Sequence, residues 1–99
     1  MALEEKLRHL PDKPGVYVMK DARGGIIYIG KASSLLKRVP SYFQGTDQPK
    51  IRALQQRIAD LEYILTDSEQ EALILEADLV KRYKPRYNVR LKDDKKWLY

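Results

Sequence analysis

The sequence contains no cysteine, one histidine, five glycines and five prolines among its 99 residues. Without cysteine the chain forms no disulfide and no zinc–thiolate site, and catalysis by a thiolate is excluded. The single histidine, His9, excludes a histidine-rich metal cage, and we expect it to lie on the surface. Any chemistry must therefore use tyrosine, glutamate, aspartate, lysine or arginine side chains.

Long hydrophobic runs are also absent. Residues 1–10 include acidic side chains and no continuous apolar segment, which predicts neither a signal peptide nor a membrane span. We therefore expect a cytoplasmic protein with no membrane partner. With 43% hydrophobic residues and no linker-like stretch, residues 1–99 are predicted to form a single domain. Because the chain ends on apolar Trp97, Leu98 and Tyr99, we expect a fragment of a longer protein. We further expect this fragment to be monomeric.

The net charge of +5 is unevenly distributed along the chain. Residues 1–79 hold 11 basic and 12 acidic side chains, whereas residues 80–99 hold 8 basic and 2 acidic ones. A basic excess confined to one end is typical of a polyanion partner, most often nucleic acid. A solvated basic tail is the alternative.

Two apolar runs, Val16–Met19 and Ile26–Ile29, are separated by turn-forming residues and predict a β-hairpin with both faces covered. If the loop consists of Asp21–Gly24, the register pairs Tyr17 directly with Tyr28 and puts both phenols on one face. A register shift of one residue would separate them.

Gly30 is predicted to end the second strand. Ser33 or Ser34 then caps a short helix, Leu35–Val39. Pro40 lacks an amide donor and crowds the preceding turn, so we expect a kink or an early end to this helix.

The remaining elements follow from periodicity. Residues 2–10 predict a weakly amphipathic helix, and a second such helix begins at Pro49. Residues 61–66 alternate as a third strand. Residues 86–92 alternate apolar and polar side chains, which predicts an extended segment packed against the domain.

The helix Ser68–Tyr83 has a capping box formed by Ser68 and Glu71, and Pro85 stops it. One face carries apolar residues, with Glu76 lying among them. The apolar residues are Ala72, Leu75, Leu79, Val80 and Tyr83, with Leu73 and Ala77 at the edge.

An ionised carboxylate on an apolar face requires an explanation, because burying it without a partner costs several kcal/mol or more. Glu76 must bond a buried donor, hold a cation or open onto a cleft. Alternatively, the helix is rotated and Glu76 pairs at the rim with a lysine or arginine.

Two tripeptides and a set of downstream residues form a recognisable pattern. They are Gly15-Val16-Tyr17, Tyr28-Ile29-Gly30, Lys31, Arg38, Tyr42, Glu76 and Asn88. In order and spacing this set resembles a GIY-YIG endonuclease domain over nearly the whole chain. Within that family it is most similar to the branch found as the N-terminal domain of a bacterial excinuclease subunit. Val16 stands where the family name has isoleucine.

The resemblance implies an α+β fold, a small three-stranded antiparallel β-sheet flanked by α-helices. It implies a metal-dependent DNA endonuclease that hydrolyses a phosphodiester bond and makes the 3′ incision in nucleotide excision repair. One Mg²⁺ or Mn²⁺ would be held by Glu76. The implied partners are double-stranded DNA containing a lesion and other excinuclease subunits, including a damage-recognition protein.

The residue types suggest a mechanism. A tyrosine can act as a general base only if a cation stabilises its phenolate. Lys31 follows Tyr28 closely, so we rank Tyr28 ahead of Tyr17, although the choice stays open. Arg38 offers a guanidinium fork to the phosphate.

Within the resemblance, Tyr42 and Asn88 would orient the phosphate or supporting side chains. Ordinary packing is the alternative for the tyrosines and for Asn88. A non-catalytic nucleic-acid-binding module or a protein-docking module on the same scaffold are the rival functions. The presence of both Arg38 and Glu76 favours catalysis.

Overall fold

The computed structural model describes residues 3–43 and 49–88, which form three strands and four α-helices. The elements are α1 (Leu3–Arg8), β1 (Gly15–Lys20), β2 (Ile26–Ala32), α2 (Leu35–Arg38), a 3₁₀ helix (Val39–Phe43), α3 (Pro49–Arg57), β3 (Asp60–Leu65) and α4 (Glu69–Tyr83). The strands form one antiparallel sheet in the order β2-β1-β3. The predicted α+β architecture, a three-stranded antiparallel sheet with flanking helices, is confirmed.

The register of the hairpin differs from the prediction. Tyr17 lies opposite Gly30, and Tyr28 lies opposite Met19. The direct pairing of Tyr17 with Tyr28 is therefore wrong. The shift amounts to two residues, and side chains alternate with a period of two, so both phenols still lie on the same face of the sheet.

The turn between β1 and β2 accounts for one residue of this shift, and a β-bulge between Met19 and Lys20 accounts for the other. The Asp21 amide donates to the Gly25 carbonyl at 2.9 Å, which makes the loop one residue longer than predicted. The Asp21 carboxylate accepts hydrogen bonds from the backbone amides of Gly25 at 2.9 Å and Arg23 at 3.0 Å. These bonds, that from Gly25 above all, hold the pKa of Asp21 below its ordinary value. Gly24 adopts a φ of 85°, which favours glycine.

The central strand, β1, is buried on both faces, as the two apolar runs predict. One face joins the larger core, in which Tyr17 and Met19 pack with residues of α2, α3 and β3. The other face joins a smaller core under α4. Its members are Val16, Val18, Ile29 and Ala72, with Leu75, Leu79 and Val80 packed against them.

The end of β2 and the ends of α2 can be compared with the predictions. The strand β2 does not end at Gly30 but continues to Ala32, which pairs with Gly15. Ser34 caps α2 by accepting from the Lys37 amide at 3.3 Å. The helix then ends at Arg38, and the chain continues as the 3₁₀ helix that contains Pro40. The predicted early end is confirmed.

The helix α4 begins after the Ser68 cap, whose hydroxyl accepts from the Glu71 amide at 3.2 Å. It ends at Tyr83, and the capping residue Lys84 has a φ of 45° immediately before Pro85. Its buried stripe is narrower than predicted, because Leu73 and Tyr83 are about half exposed to solvent. The helix therefore covers mainly β1 and β2.

The segment after α4 is folded differently from the prediction. Residues 86–88 are helical rather than extended, and the Asn88 amide donates to the Pro85 carbonyl at 3.1 Å. The rest of the predicted extended segment, residues 89–92, lies outside the described residues. As predicted, His9 lies on the surface. Within the part of the chain that the structure describes, no helix is long and apolar enough to span a membrane.

Candidate active site

Three tyrosines meet on one face of the sheet. The Tyr17 hydroxyl donates a hydrogen bond to the Tyr42 hydroxyl at 2.8 Å, and the hydroxyls of Tyr28 and Tyr42 lie 3.3 Å apart. The three ring centroids are separated by 5.6 to 6.2 Å. We call Tyr17, Tyr28 and Tyr42 the tyrosine cluster.

The glycines of the two tripeptides make room for this arrangement. The ring of Tyr17 lies directly against Gly30 across the strands, where any side chain would overlap it. A side chain at Gly15 would collide with the carbonyl oxygen of Ile64 on β3. Because Gly30 has no side chain, the Tyr17 ring packs directly against the backbone of β2. Gly30 does not break the strand.

Tyr42 reaches the cluster because of the break in the second helix. The 3₁₀ helix turns the Tyr42 side chain into the larger core, where it is buried. The side-chain amide of Gln55 on α3 donates to the Tyr42 carbonyl. Sequence reasoning did not single out Gln55, because no motif distinguishes a polar residue that bonds a backbone group of another element.

Arg38 supplies the positive charge next to the cluster. Its guanidinium carbon lies 5.5 Å from the centroid of the Tyr42 ring, while the side chain stays open to solvent. Interaction with Tyr17 and Tyr42 raises the pKa of Arg38. A guanidinium that contacts the cluster and still faces solvent can bind a phosphate presented to the phenols.

Burial determines the protonation of the two motif tyrosines. It raises the pKa of Tyr17 well above its ordinary value, and the neighbouring phenols raise it further. Burial likewise raises the pKa of Tyr28, as do Tyr42 and the charge of Glu76. The nearby Arg38 lowers both pKa values. Both phenols are therefore protonated at neutral pH, and removing a proton from either requires added positive charge.

Glu76 lies on α4, which packs against β2, and its side chain is partly exposed. Its negative charge raises the pKa of Tyr28. The described residues contain no group of three or more acidic or histidine side chains that could enclose a metal ion. A single carboxylate beside phenol oxygens fits Mg²⁺ or Mn²⁺, since these ions retain several water ligands and prefer oxygen donors.

Asn88 is buried, with 3% of its surface exposed. Its side-chain oxygen accepts from the Ile29 amide at 2.7 Å, and its side-chain nitrogen donates to the Ile29 carbonyl at 2.8 Å. The two bonds lie on the outer edge of β2, because β1 occupies the other side. Asn88 thus pairs with β2 as a further strand would, directly beside Tyr28.

The position of Lys31 differs from the one that led us to rank Tyr28 ahead of Tyr17. It pairs in register with Val16, which lies in the core under α4, and therefore points to the opposite face from the tyrosine cluster. Its ammonium group lies 3.8 Å from the Glu69 carboxylate. Arg38, not Lys31, is the cation that acts on both phenols. Lys31 and Arg38 nevertheless line one groove, so a role for Lys31 in phosphate binding stays a prediction.

A three-stranded antiparallel sheet, with clustered phenols on one face and with an arginine and a glutamate on flanking helices, defines a small α+β domain. A family model for UvrC-like GIY-YIG domains matches residues 13–89, and this chain belongs to that family. The resemblance predicted from the sequence is confirmed.

Individual relatives agree with this assignment. The UvrABC system protein C of Moorella thermoacetica is 63% identical over 99 residues, covering 100% of this chain and 16% of that protein. The chain thus spans about one sixth of the length of the curated relatives it matches.

Among solved structures, the chain is similar to the GIY-YIG N-terminal endonuclease domain of UvrC from Thermotoga maritima, bound to magnesium as its catalytic divalent cation. The TM-score is 0.77 at 40% identity, covering 86% of this chain and 93% of that one. A variant of that domain with one tyrosine replaced by phenylalanine is also bound to its catalytic divalent cation. Its TM-score is 0.77 at 39% identity, covering 86% of this chain and 93% of that one.

Proposed function

We propose that this chain is a divalent-metal-dependent DNA endonuclease domain which, within a longer protein, makes the 3′ incision in nucleotide excision repair. The observation that carries the proposal is the tyrosine cluster, with Arg38 in contact with it and the charge of Glu76 acting on Tyr28. Similarity to an endonuclease domain from Thermotoga maritima, covering 93% of that domain, supports the same function.

Glu76 holds the divalent cation, Mg²⁺ or Mn²⁺. When bound, the ion supplies Lewis-acid stabilisation of the negative charge that develops on the phosphate. Two observations support the assignment to a carboxylate. Glu76 is the acidic side chain that acts electrostatically on Tyr28. The related domain also retains its cation after a tyrosine loses its hydroxyl, so that hydroxyl is not required to hold the ion there.

Tyr28 is the general base of this proposal. Tyr17 is only 1% exposed and its hydroxyl proton is engaged by Tyr42, whereas Tyr28 is partly open to solvent and can meet a water molecule. Arg38 favours the phenolate of Tyr28 and offers its guanidinium to the phosphate. Tyr17 and Tyr42 orient the base through their hydroxyls.

Asn88 and Lys31 act around this centre. Asn88 fixes the backbone of β2 next to Tyr28 and is a positioning residue in this proposal. Lys31 contributes positive charge to the groove next to Arg38 and binds DNA phosphate there. Neither residue exchanges a proton with the reacting atoms.

The substrate is double-stranded DNA containing a lesion, and the partners are the other excinuclease subunits, including a damage-recognition protein. In this proposal the other subunits interact with the longer protein that contains this domain, in the cytoplasm. This domain is a monomer within that protein. The similarity to UvrABC system protein C from several bacteria supports these assignments.

The test is a nicking assay of the longer protein that contains this domain, with its partner subunits, on lesion-bearing duplex DNA with Mg²⁺ or Mn²⁺. Arg38→Ala is expected to lose nicking while still binding DNA, because it removes the cation beside the phenols. A wild-type protein that binds DNA without nicking it would instead identify a non-catalytic binding module. If Arg38→Ala nicks at the wild-type rate, Arg38 has no part in the mechanism.

A further inference from the structure

Three arginines from distant parts of the chain line one pocket at the start of β2. Arg23 lies in the turn between β1 and β2, Arg57 ends α3, and Arg86 follows α4. Ile27 and Tyr87 contribute to the same pocket. We call this site the arginine pocket.

The described residues only partly balance the charges of the arginine pocket, since Asp21 interacts electrostatically with Arg23 and Arg57. Asp21 is the one acidic residue in its lining, and its carboxylate accepts hydrogen bonds from the backbone amides of Arg23 and Gly25. Within residues 3–43 and 49–88, none of the three guanidinium groups forms a salt bridge. Three like charges that converge repel one another, and a bound anion would offset this repulsion.

The pocket lies at one end of β2, next to the tyrosine cluster. Ile27 directly precedes Tyr28, and Tyr87 directly precedes Asn88. At the other end of the strand, Lys31, Lys37 and Arg38 line the basic groove described above. From Ile27 to Lys31 the strand spans roughly 13 Å at about 3.3 Å per residue. That length corresponds to about four steps of one DNA strand at about 3.4 Å each.

We propose that the arginine pocket binds a backbone phosphate of the DNA substrate, close to the bond that is cut and about four nucleotides from a phosphate held in the basic groove at Lys31. The inference rests on the proposed nuclease function, since it places the strand along β2 with the scissile phosphate at the tyrosine cluster. Guanidinium groups bind phosphate oxygens in a planar, bidentate geometry, which suits a backbone contact without sequence preference.

The first experiment measures binding of this chain to a duplex oligonucleotide by fluorescence anisotropy at several salt concentrations. Arg23→Gln combined with Arg57→Gln removes two positive charges from the pocket. The slope of log affinity against log salt is expected to fall by about 0.9 for each phosphate that the pocket neutralises. Arg86→Gln is a second variant, and its salt slope is also expected to fall.

A charge-matched control combines Arg8→Gln with Lys81→Gln, two exposed residues on α1 and α4 that do not line the pocket. Its salt slope is expected to equal that of the wild type. Thermal melts confirm that each variant is folded. An unchanged slope in both pocket variants, or an equal fall in the control, would overturn the proposal.

A second arm titrates the wild-type chain with inorganic phosphate. Phosphate binding by the chain, together with an unchanged salt slope in the pocket variants, would assign the pocket to a small phosphate ligand and overturn the proposal. The nicking assay separates this inference from the nuclease function. If the pocket variants reduce the salt slope but the longer protein does not nick DNA, only the proposed nuclease function is rejected. If the longer protein nicks DNA but the salt slope of the pocket variants is unchanged, only the proposed phosphate site is rejected.

Discussion

The three phenols of the tyrosine cluster differ in the surroundings of their hydroxyl groups. Tyr17 donates to Tyr42 from a buried position, and Tyr28 approaches Tyr42 from a partly open one. Burial raises the pKa of Tyr17 and Tyr28, and Arg38 lowers both. In the proposed mechanism the chemistry therefore depends on single hydroxyl groups, and removing them is expected to leave the packing of the rings intact.

Tyr28→Phe and Tyr17→Phe are each expected to reduce nicking by about a hundredfold or more, because one loses the base and the other loses a hydroxyl that orients it. Thermal melts should show folded proteins, since both rings stay in place. The assay is single-turnover nicking by the longer protein. Tyr63→Phe is the matched control, because Tyr63 is 41% exposed on β3 and lies outside the cluster. Wild-type rates in both cluster variants would contradict the assignment of a tyrosine base.

Glu76→Gln keeps the size of the side chain but removes the charge that a hard divalent cation prefers. Mn²⁺ is expected to raise the melting temperature of the wild-type chain, because a ligand at a hundred times its Kd stabilises by about 2.7 kcal/mol. The variant should lose this Mn²⁺-dependent shift, together with nicking. Asp78→Asn, an exposed change on the same helix, should retain both. A full Mn²⁺ shift in Glu76→Gln would remove Glu76 as the metal ligand.

The outer edge of β2 depends on one side chain from another segment. Asn88→Ala leaves the buried amide and carbonyl of Ile29 without their partner, which is expected to cost about 2 kcal/mol. Urea denaturation measures this loss, and faster exchange of the Ile29 amide would locate it on β2. Gln70→Ala, an exposed change on α4, serves as the control. Unchanged stability and unchanged Ile29 exchange would show that Asn88 does not support the strand.

Local patterns predict the elements better than their exact pairing. The apolar runs identify β1 and β2, and the period of two places Tyr17 and Tyr28 on one face despite the wrong register. The register itself depends on the hydrogen bonds of Asp21 within the turn and on a β-bulge between Met19 and Lys20, neither of which alternation encodes. Gly30 resembles a strand terminator in sequence, whereas its role, accommodating the Tyr17 ring, depends on the folded pair of strands.

Contacts between distant segments are the part that sequence reasoning misses. The alternation of residues 86–92 predicts an extended segment, but the hydrogen bond from the Asn88 amide to Pro85 makes residues 86–88 helical. The arginine pocket joins positions 23, 57 and 86, which no local pattern connects. Glu76 was singled out by its place on an apolar helix face and the other six site residues were assigned through the family resemblance, but the sequence alone does not reveal the distances among them.

The distribution of charge over the molecule determines how it is expected to meet DNA. Residues 80–99 hold 8 of the 19 basic residues, and the part beyond residue 88 lies outside the described residues. The described part contributes the arginine pocket and the groove around Arg38. Neither surface contains a helix arranged to read base edges in a groove, so we expect binding that is electrostatic and independent of sequence.

Deleting residues 90–99 removes Arg90, Lys92, Lys95 and Lys96 together with two aspartates. Each lost phosphate contact is expected to lower the slope of log affinity against log salt by about 0.9, as measured by anisotropy on a duplex oligonucleotide. A residual slope should persist, because the arginine pocket and the groove remain. Replacing Asp93 and Asp94 with asparagine in the full chain is the companion change, and it should leave the slope equal or steeper. An unchanged slope after the deletion would place the DNA-binding surface entirely within residues 1–89.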